Sequence, residues 1–265
     1  MKPIPKKILA RLVTGIKKFQ PILNDAKARD INESDTVVII NDMLSDIFGF
    51  DKYSEVTSEF SIRGTYCDLA TIIDAKTQYL IEVKAIGNEL KDSYAKQAVD
   101  YAANDGIDWV ILTNGIHWVA YKISFSKPID KETVFEFNFL ELNYKNKEHL
   151  EELFCLTKEG CMKSIFEDFH SRKQVLSKYF VGSILTGDTV LNTVRKELRK
   201  IEPDIKVNIE QIKAVIENEI IKREVIENER TKEATKKIHR IVNRQQKRKE
   251  KEQNIIGGNE LKIIS

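Results

Sequence analysis

The stretch from Thr65 to Ile86, TYCDLATIIDAKTQYLIEVKAI, constrains this chain more than any other. Two runs rich in Ile, Leu, Val, Tyr and Thr flank a short polar break, the pattern of a β-hairpin with its turn near Ala75. Strand residues two apart share a face, so Glu82 and Lys84 project together while Ile81, Val83 and Ala85 point the other way. With that turn, Asp68 lies across from Glu82 on the same face. Two carboxylates and a lysine then converge in a segment otherwise apolar enough to be core. Burying such charges without compensation costs several kcal/mol. A divalent cation held by the carboxylates beside an ammonium compensates them, and that grouping suits phosphodiester cleavage. A half-exposed strand with a cross-strand ion pair is the plainer alternative. Against it, QYLIEVKAI is apolar on both sides of its charges, as buried strands are.

After the hairpin come SYAKQAVDYAANDG and then IDWVILTNGIHWVAYKI. The first reads as a helix with Gln97 and Tyr101 at i and i+4, hence on one face. The second reads as two apolar strands joined at Asn114-Gly115, a strong hairpin signal. The order strand, strand, helix, strand, strand, with acids in the first two strands, resembles the PD-(D/E)xK nuclease core. It most resembles the N-terminal nuclease domain of type I restriction enzyme R subunits. That pattern runs acid, E-x-K, Q-x-x-x-Y and an L-T-N-G-x-x-W hairpin. Here it is met by Asp68, Glu82-Val83-Lys84, Gln97 to Tyr101, and Leu112 to Trp118, over roughly residues 30 to 125. Cys67 stands where the family name would place a proline.

The resemblance implies an α/β fold with a mixed central sheet flanked by helices, the restriction-endonuclease-like core, and a Mg²⁺-dependent endonuclease activity. It implies that Asp68, Glu82 and the Val83 carbonyl bind Mg²⁺, or Mn²⁺ in its place. Lys84 would orient the attacking water and stabilise developing charge. The family also uses a glutamate on the helix before the sheet, here Glu33 in NESDTVVIINDMLSDIFGF. Glu33 reads equally well as a first-turn acid favoured by the helix dipole, with Asn32 or Ser34 as N-cap. Gln97 and Tyr101 would position the strand backbone, or simply pack a helix face on the sheet. Arg63, in the loop expected before the first strand, reads either as a phosphate contact or as a solvated loop charge.

Three cysteines, Cys67, Cys155 and Cys161, are too few and too scattered for a disulfide framework or a zinc site, and suit reduced thiols in the cytoplasm. The four histidines show no metal-ligand spacing. No apolar run approaches the roughly 18 residues of a membrane span. The start, MKPIPKKILARLVTGIKKF, is expected to form an amphipathic helix over residues 1–30 that covers the core or contributes lysines to a DNA-facing surface. The nuclease core is assigned to residues 31–142 and a helical C-terminal module to residues 143–265.

The net charge of +2 hides an asymmetry. Ten Lys or Arg and two Glu lie between Arg230 and Lys251, so an acidic body carries a basic tail. Lys236, Lys237, Arg240 and Arg244 are its candidate nucleic-acid contacts; a solvated helix end is the other reading of the tail. Helices are expected from Lys147 to about Gly160, from Lys163 to Tyr179, and from an N-cap at Asp188 to before Pro203. From Asn208 one helix of roughly 40 residues is expected to run into the tail. No G-x-x-x-x-G-K-[ST] phosphate loop accompanies the nuclease pattern, so no ATP-driven motor is expected. The expected partners are DNA, a second copy of the chain joined through the helical module as a homodimer or larger homo-oligomer, and separately encoded subunits. RNA cleavage, or DNA binding and assembly on a nuclease fold without catalysis, are the alternatives.

Overall fold

The computed structural model describes residues 3–62, 65–125, 129–204 and 206–260, with side chains except at 61–65 and 245–260. Arg63 lies outside the described residues. The chain divides into two compact units, Met1–His170 and Ser171–Ser265.

In the first unit, helix α1 (Lys6–Ala28) buries Ile8, Leu12, Ile16, Phe19 and Leu23. These recur every three or four residues and so form one apolar face. Gly15 shares that face. A Cβ there would stand 2.6 Å from Ile47 Cγ1, so glycine alone lets α1 approach the end of α2 this closely. Helix α2 (Glu33–Asp46) opens on Asn32, whose side chain accepts the Asp35 N–H at 2.9 Å, as expected of an N-cap.

Six strands come next, in sequential order in one sheet: β1 (Val56–Ile62), β2 (Thr65–Ile73), β3 (Lys76–Val83), β4 (Trp109–Thr113), β5 (His117–Ser124) and β6 (Asp130–Asn138). All neighbours are antiparallel except β3 and β4, which are parallel. A parallel pair needs a crossover. It is supplied by a 3₁₀ turn (Asp92–Ala95) and helix α3 (Lys96–Asp105), which ends on Gly106 at φ 70°. The β2–β3 turn is centred on Asp74 and Ala75, at φ 50° and 59°. Positive φ at both central residues matches the right-handed strand twist of a tight hairpin.

The sheet separates two apolar clusters. Leu69, Tyr79, Ile81 and Val83 pack with α1 and α2 and with Leu153, Phe154 and Phe166. Ala70, Leu80, Val110 and Leu112 pack with Ala98, Val99 and Ala102 of α3 on the other face. Strand β1 departs from the expectation of a loop before Thr65. Its composition, VTSEFSI, alternates weakly, and Glu59 interrupts it at φ 49°. Residues 136–142 divide into the end of β6 and a 3₁₀ turn (Phe139–Glu141).

The helix from Lys147 stops early, at Leu156 (α4, Lys147–Leu156), because the Thr157 hydroxyl donates to the Phe154 carbonyl and caps α5 (Lys158–Met162). Helix α6 (Ile165–Val175) comes after it. Leu150, Leu153, Phe154, Ile165 and Phe166 join the larger core cluster, so the compact division falls after His170 rather than at residue 143.

The second unit is helical. Ser177 caps α7 (Lys178–Leu185) and breaks the helix expected from Lys163 to Tyr179. Helix α8 (Asp188–Ile201) has Gly187 as its N-cap and Asp188 as a first-turn acid, not the cap itself. Asn208 and Gln211 form a reciprocal capping box at α9 (Ile209–Val215). The continuous helix expected from Asn208 is not formed. A π turn (Ile216–Ile220) ends on Ile221, whose N–H bonds the Ile216 carbonyl, and Ile221 and Lys222 are extended. Two further helices, α10 (Arg223–Ile226) and α11 (Glu229–Glu260), end the described residues. The break is a matter of packing: Leu191 gathers Ile212 and Ile216 in a cluster of their own, and Val225 is buried. No helix among the described residues is long and apolar enough to cross a membrane.

Candidate active site

The three hairpin charges meet at the carboxyl end of β3. Leu69 pairs with Ile81, and extending that register by one residue sets Asp68 opposite Glu82. Here side chains replace the backbone ladder. Asp68 Oδ2 accepts the Val83 N–H at 2.7 Å, and the Cys67 thiol donates to the Ile81 carbonyl at 3.3 Å. Because Asp68 takes a main-chain N–H of β3, its carboxylate is fixed relative to the strand that carries Glu82 and Lys84.

Lys84 Nζ donates to Glu82 Oε1 at 2.9 Å and to the Val83 carbonyl at 2.8 Å. Glu33, the first residue of α2, brings Oε2 to 3.6 Å from the same ammonium. The Lys84 and Glu82 side chains are only 18% and 13% exposed, whereas Glu33 is 47% exposed. The cluster is therefore a half-buried group with one open side, the Glu33 side. Its location fits the general preference of sites in sheets with parallel strands for the carboxyl ends of those strands.

This burial sets the electrostatics. It pushes the Glu82 carboxyl above its ordinary range; Asp68 and Glu33 add to this, and the Lys84 hydrogen bond opposes it. Burial also works against the Lys84 charge, but Glu82, Glu33 and Asp68 outweigh it and hold the ammonium above its ordinary value. Burial, with Glu82 and Asp68 next, pushes the Cys67 thiol up to about 12, so it is an inert neutral group at neutral pH.

The oxygens suit a hard divalent cation. Glu82 and the Val83 carbonyl already share one cation, the Lys84 ammonium, and Asp68 stands on the neighbouring strand. Mg²⁺ takes only one or two protein carboxylates and keeps the rest of its shell as water. Among the described residues no group of three or more His, Cys, Asp or Glu side chains is arranged as a metal cluster. Two carboxylates and a main-chain oxygen fall short of that number but not of what Mg²⁺ needs.

Gln97 and Tyr101 are brought together on α3, with Gln97 Nε2 donating to the Tyr101 hydroxyl at 2.5 Å. Gln97 also reaches the Tyr66 carbonyl at 3.4 Å, two residues from Asp68. Two residues to which the sequence pattern gave no part in the site also belong here. The Tyr94 ring lies 5.9 Å from Lys84 Nζ, and its spacing to Gln97 and Tyr101 on the helix was the available signal. Asn114 Nδ2 donates to the carbonyls of Ile86, at 3.3 Å, and Asn88, at 2.8 Å. Those residues form the loop that leaves Lys84.

Lys236, Lys237, Arg240 and Arg244 lie in the second unit, exposed on α11, with Lys237 bonded to Gln174. They are a separate basic surface. A cleft of about 880 Å³ in the first unit borders Ile86 to Leu90 but contains none of Asp68, Glu82 and Lys84. Glu89, Glu136, Glu141, Glu148 and Glu152 line it, a setting that repels phosphate. No protein-family model, curated protein or solved structure gives a significant match to this chain.

Proposed function

We propose that the chain is a Mg²⁺-dependent DNA endonuclease of the restriction-endonuclease-like, PD-(D/E)xK kind. One observation carries the reading: Glu33, Glu82 and Lys84 meet around one ammonium at the end of β3, with Asp68 bonded to the Val83 N–H between them. Four charged groups from a strand pair and one helix start are costly to assemble as mere packing. The parallel β3–β4 pair with α3 as crossover, after an antiparallel hairpin carrying the first acid, supports the same reading.

Asp68, Glu82 and the Val83 carbonyl would hold the cation. When bound, it supplies Lewis-acid stabilisation of phosphoryl oxygens and eases deprotonation of a water nucleophile. The chain's own groups do the rest. Lys84 donates to the negative charge that grows on the phosphoryl oxygens as the water oxygen bonds to phosphorus and the bond from phosphorus to the leaving sugar oxygen breaks, that oxygen taking a proton from solvent. Glu33, on the open side, accepts a hydrogen bond from water and holds it in place. Gln97 and Tyr101 donate to the phosphate backbone of the bound strand, which positions it without reading sequence. Exposed Lys236, Lys237, Arg240 and Arg244 add salt-dependent affinity.

A second reading, a DNA-binding or assembly subunit without catalysis, is favoured by the Lys84 contacts, since the ammonium itself occupies Glu82 and the Val83 carbonyl. Cleavage of supercoiled plasmid with Mg²⁺ or Mn²⁺ separates the two. Wild type that nicks or linearises, with Asp68→Ala and Lys84→Ala inactive, supports the endonuclease. DNA binding without cleavage by all three favours the second reading, and cleavage of RNA alone would reassign the substrate.

A further inference from the structure

Two cations have a claim on the same oxygens. Lys84 Nζ bonds Glu82 Oε1 at 2.9 Å and the Val83 carbonyl at 2.8 Å. Those are two of the three groups that suit Mg²⁺. An ammonium and a divalent cation repel one another and cannot share that seat. The charge of the cluster nevertheless calls for both. Asp68, Glu82, Glu33 and Lys84 leave a net formal charge of −2, which one divalent cation cancels only if Lys84 stays charged and close.

A second seat for the ammonium lies beside the first. Glu33 Oε2 is 3.6 Å from Lys84 Nζ, just beyond hydrogen-bond length. The centre of the Tyr94 ring is 5.9 Å from the same nitrogen, inside the range of cation–π attraction. Lys84 can change seats without disturbing the sheet. Its main-chain N–H is held by the Thr113 carbonyl at 2.9 Å, so the strand is fixed and only the side chain swings. Glu33 is 47% exposed and has room to receive the ammonium, whereas Glu82, at 13%, stays with β3.

We propose that Lys84 is an internal counter-cation that changes seats as the site loads. It holds Glu82 and the Val83 carbonyl in place, yields them to the divalent cation, and moves to Glu33 and the Tyr94 ring. Only hydrogen bonds are exchanged, and the proton stays on Nζ throughout. One Glu33 oxygen takes the ammonium and the other is left for water. The exchange regulates the site: a cation must outcompete a tethered ammonium to enter, and Lys84 reaches its working position only once it has done so. The inference rests on the metal-site reading above.

Calorimetric titration of Mn²⁺ into the full chain, without DNA, tests it. Lys84→Met is expected to bind Mn²⁺ about tenfold or more tighter than wild type, since competition and repulsion both go. Glu33→Gln removes the second seat and is expected to weaken binding by about tenfold, but by less than about threefold when Lys84→Met is already present, because its effect runs through the ammonium. Asp68→Asn, which keeps an oxygen for the Val83 N–H, separates the exchange from the reading beneath it. Suppose Asp68→Asn abolishes binding, but Lys84→Met is no tighter than wild type, or Glu33→Gln is equally harmful in both backgrounds. The exchange is then overturned and the metal site stands. Binding that survives Asp68→Asn, or no binding by any form, removes the metal site and the exchange with it.

Discussion

Asp68 on β2 accepts the main-chain N–H of Val83 on β3 at 2.7 Å, so the first acid of the site is fastened to the backbone between the other two charges. The bond couples strand pairing to site geometry. Any change that shifts the β2–β3 register by one residue moves Asp68 to the opposite face of the sheet and dissolves the cluster.

Lys84 is the common partner of the cluster, bonded to Glu82 and within 3.6 Å of Glu33. Lys84→Met keeps the stem and removes the charge. Cleavage is expected to fall by about 100-fold or more, the usual cost of losing one positioned donor to transition-state charge. Affinity for duplex DNA in a gel shift should change little, because the exposed bases of α11 are untouched. A variant that cuts at the wild-type rate would remove Lys84 from the chemistry.

The Glu82 carboxyl is held above its ordinary range by burial and by Asp68 and Glu33. A raised carboxyl pKa means that the ionised form costs folding energy above that pKa and that the cost is relieved as pH falls through it. In the metal-free protein a carbon-13 titration should therefore show Glu82 protonating at higher pH than free glutamate. Lys84→Met removes the one contact that opposes the shift, so the midpoint should move further up. A midpoint at or below the ordinary glutamate value would contradict the burial of this carboxyl.

Asn114 is almost fully buried and uses both ends of its amide: Nδ2 holds the Ile86 and Asn88 carbonyls, while Oδ1 accepts the Ile116 and His117 N–H groups. Asn114→Asp keeps the acceptor and loses both donor bonds, leaving two carbonyls facing a carboxylate. A loss of about 2–4 kcal/mol in urea unfolding is expected. Hydrogen exchange should speed up at residues 86–88 before elsewhere in the sheet. Stability within about 0.5 kcal/mol of wild type, the range of an ordinary surface change, would deny the clamp its role.

The hairpin and its charges were legible because a strand has a period of two: fixing the turn at Ala75 fixed which residues share a face, and Asp74 and Ala75 do form the turn. The helix faces of α1 and α2 were legible for the equivalent reason at period 3.6. What could not be read depends on partners far away in sequence. Asn114 announces a turn, but its carbonyl partners lie 26 and 28 residues earlier. The break after Ile216 has no Gly or Pro to mark it; Leu191 decides it by gathering Ile212 and Ile216. Strand β1 hides behind Glu59 at a positive φ, which interrupts the alternation a strand would show.

Arg11 on α1 grips Glu159 on α5 with two nitrogens, at 2.9 and 2.5 Å, and bonds the Ile47 carbonyl at 2.9 Å with a third. Burial pushes the Glu159 carboxyl up, but the Arg11 guanidinium more than offsets it and the carboxyl ends below its ordinary value. A depressed carboxyl pKa contributes stability that is present above the unfolded-state value of about 4.3. That stability is lost as pH falls through the lower folded-state value. Glu159→Gln keeps the shape and cannot ionise. Near neutral pH the variant should be less stable than wild type by about 1 kcal/mol, a figure held down by the partial exposure of both side chains. The gap should close as pH falls below the ordinary carboxylate range, because wild type then loses the same interaction. Unfolding free energies from urea titrations across that range decide it: a gap that stays constant with pH would show that the charge of Glu159, as distinct from its packing, contributes nothing.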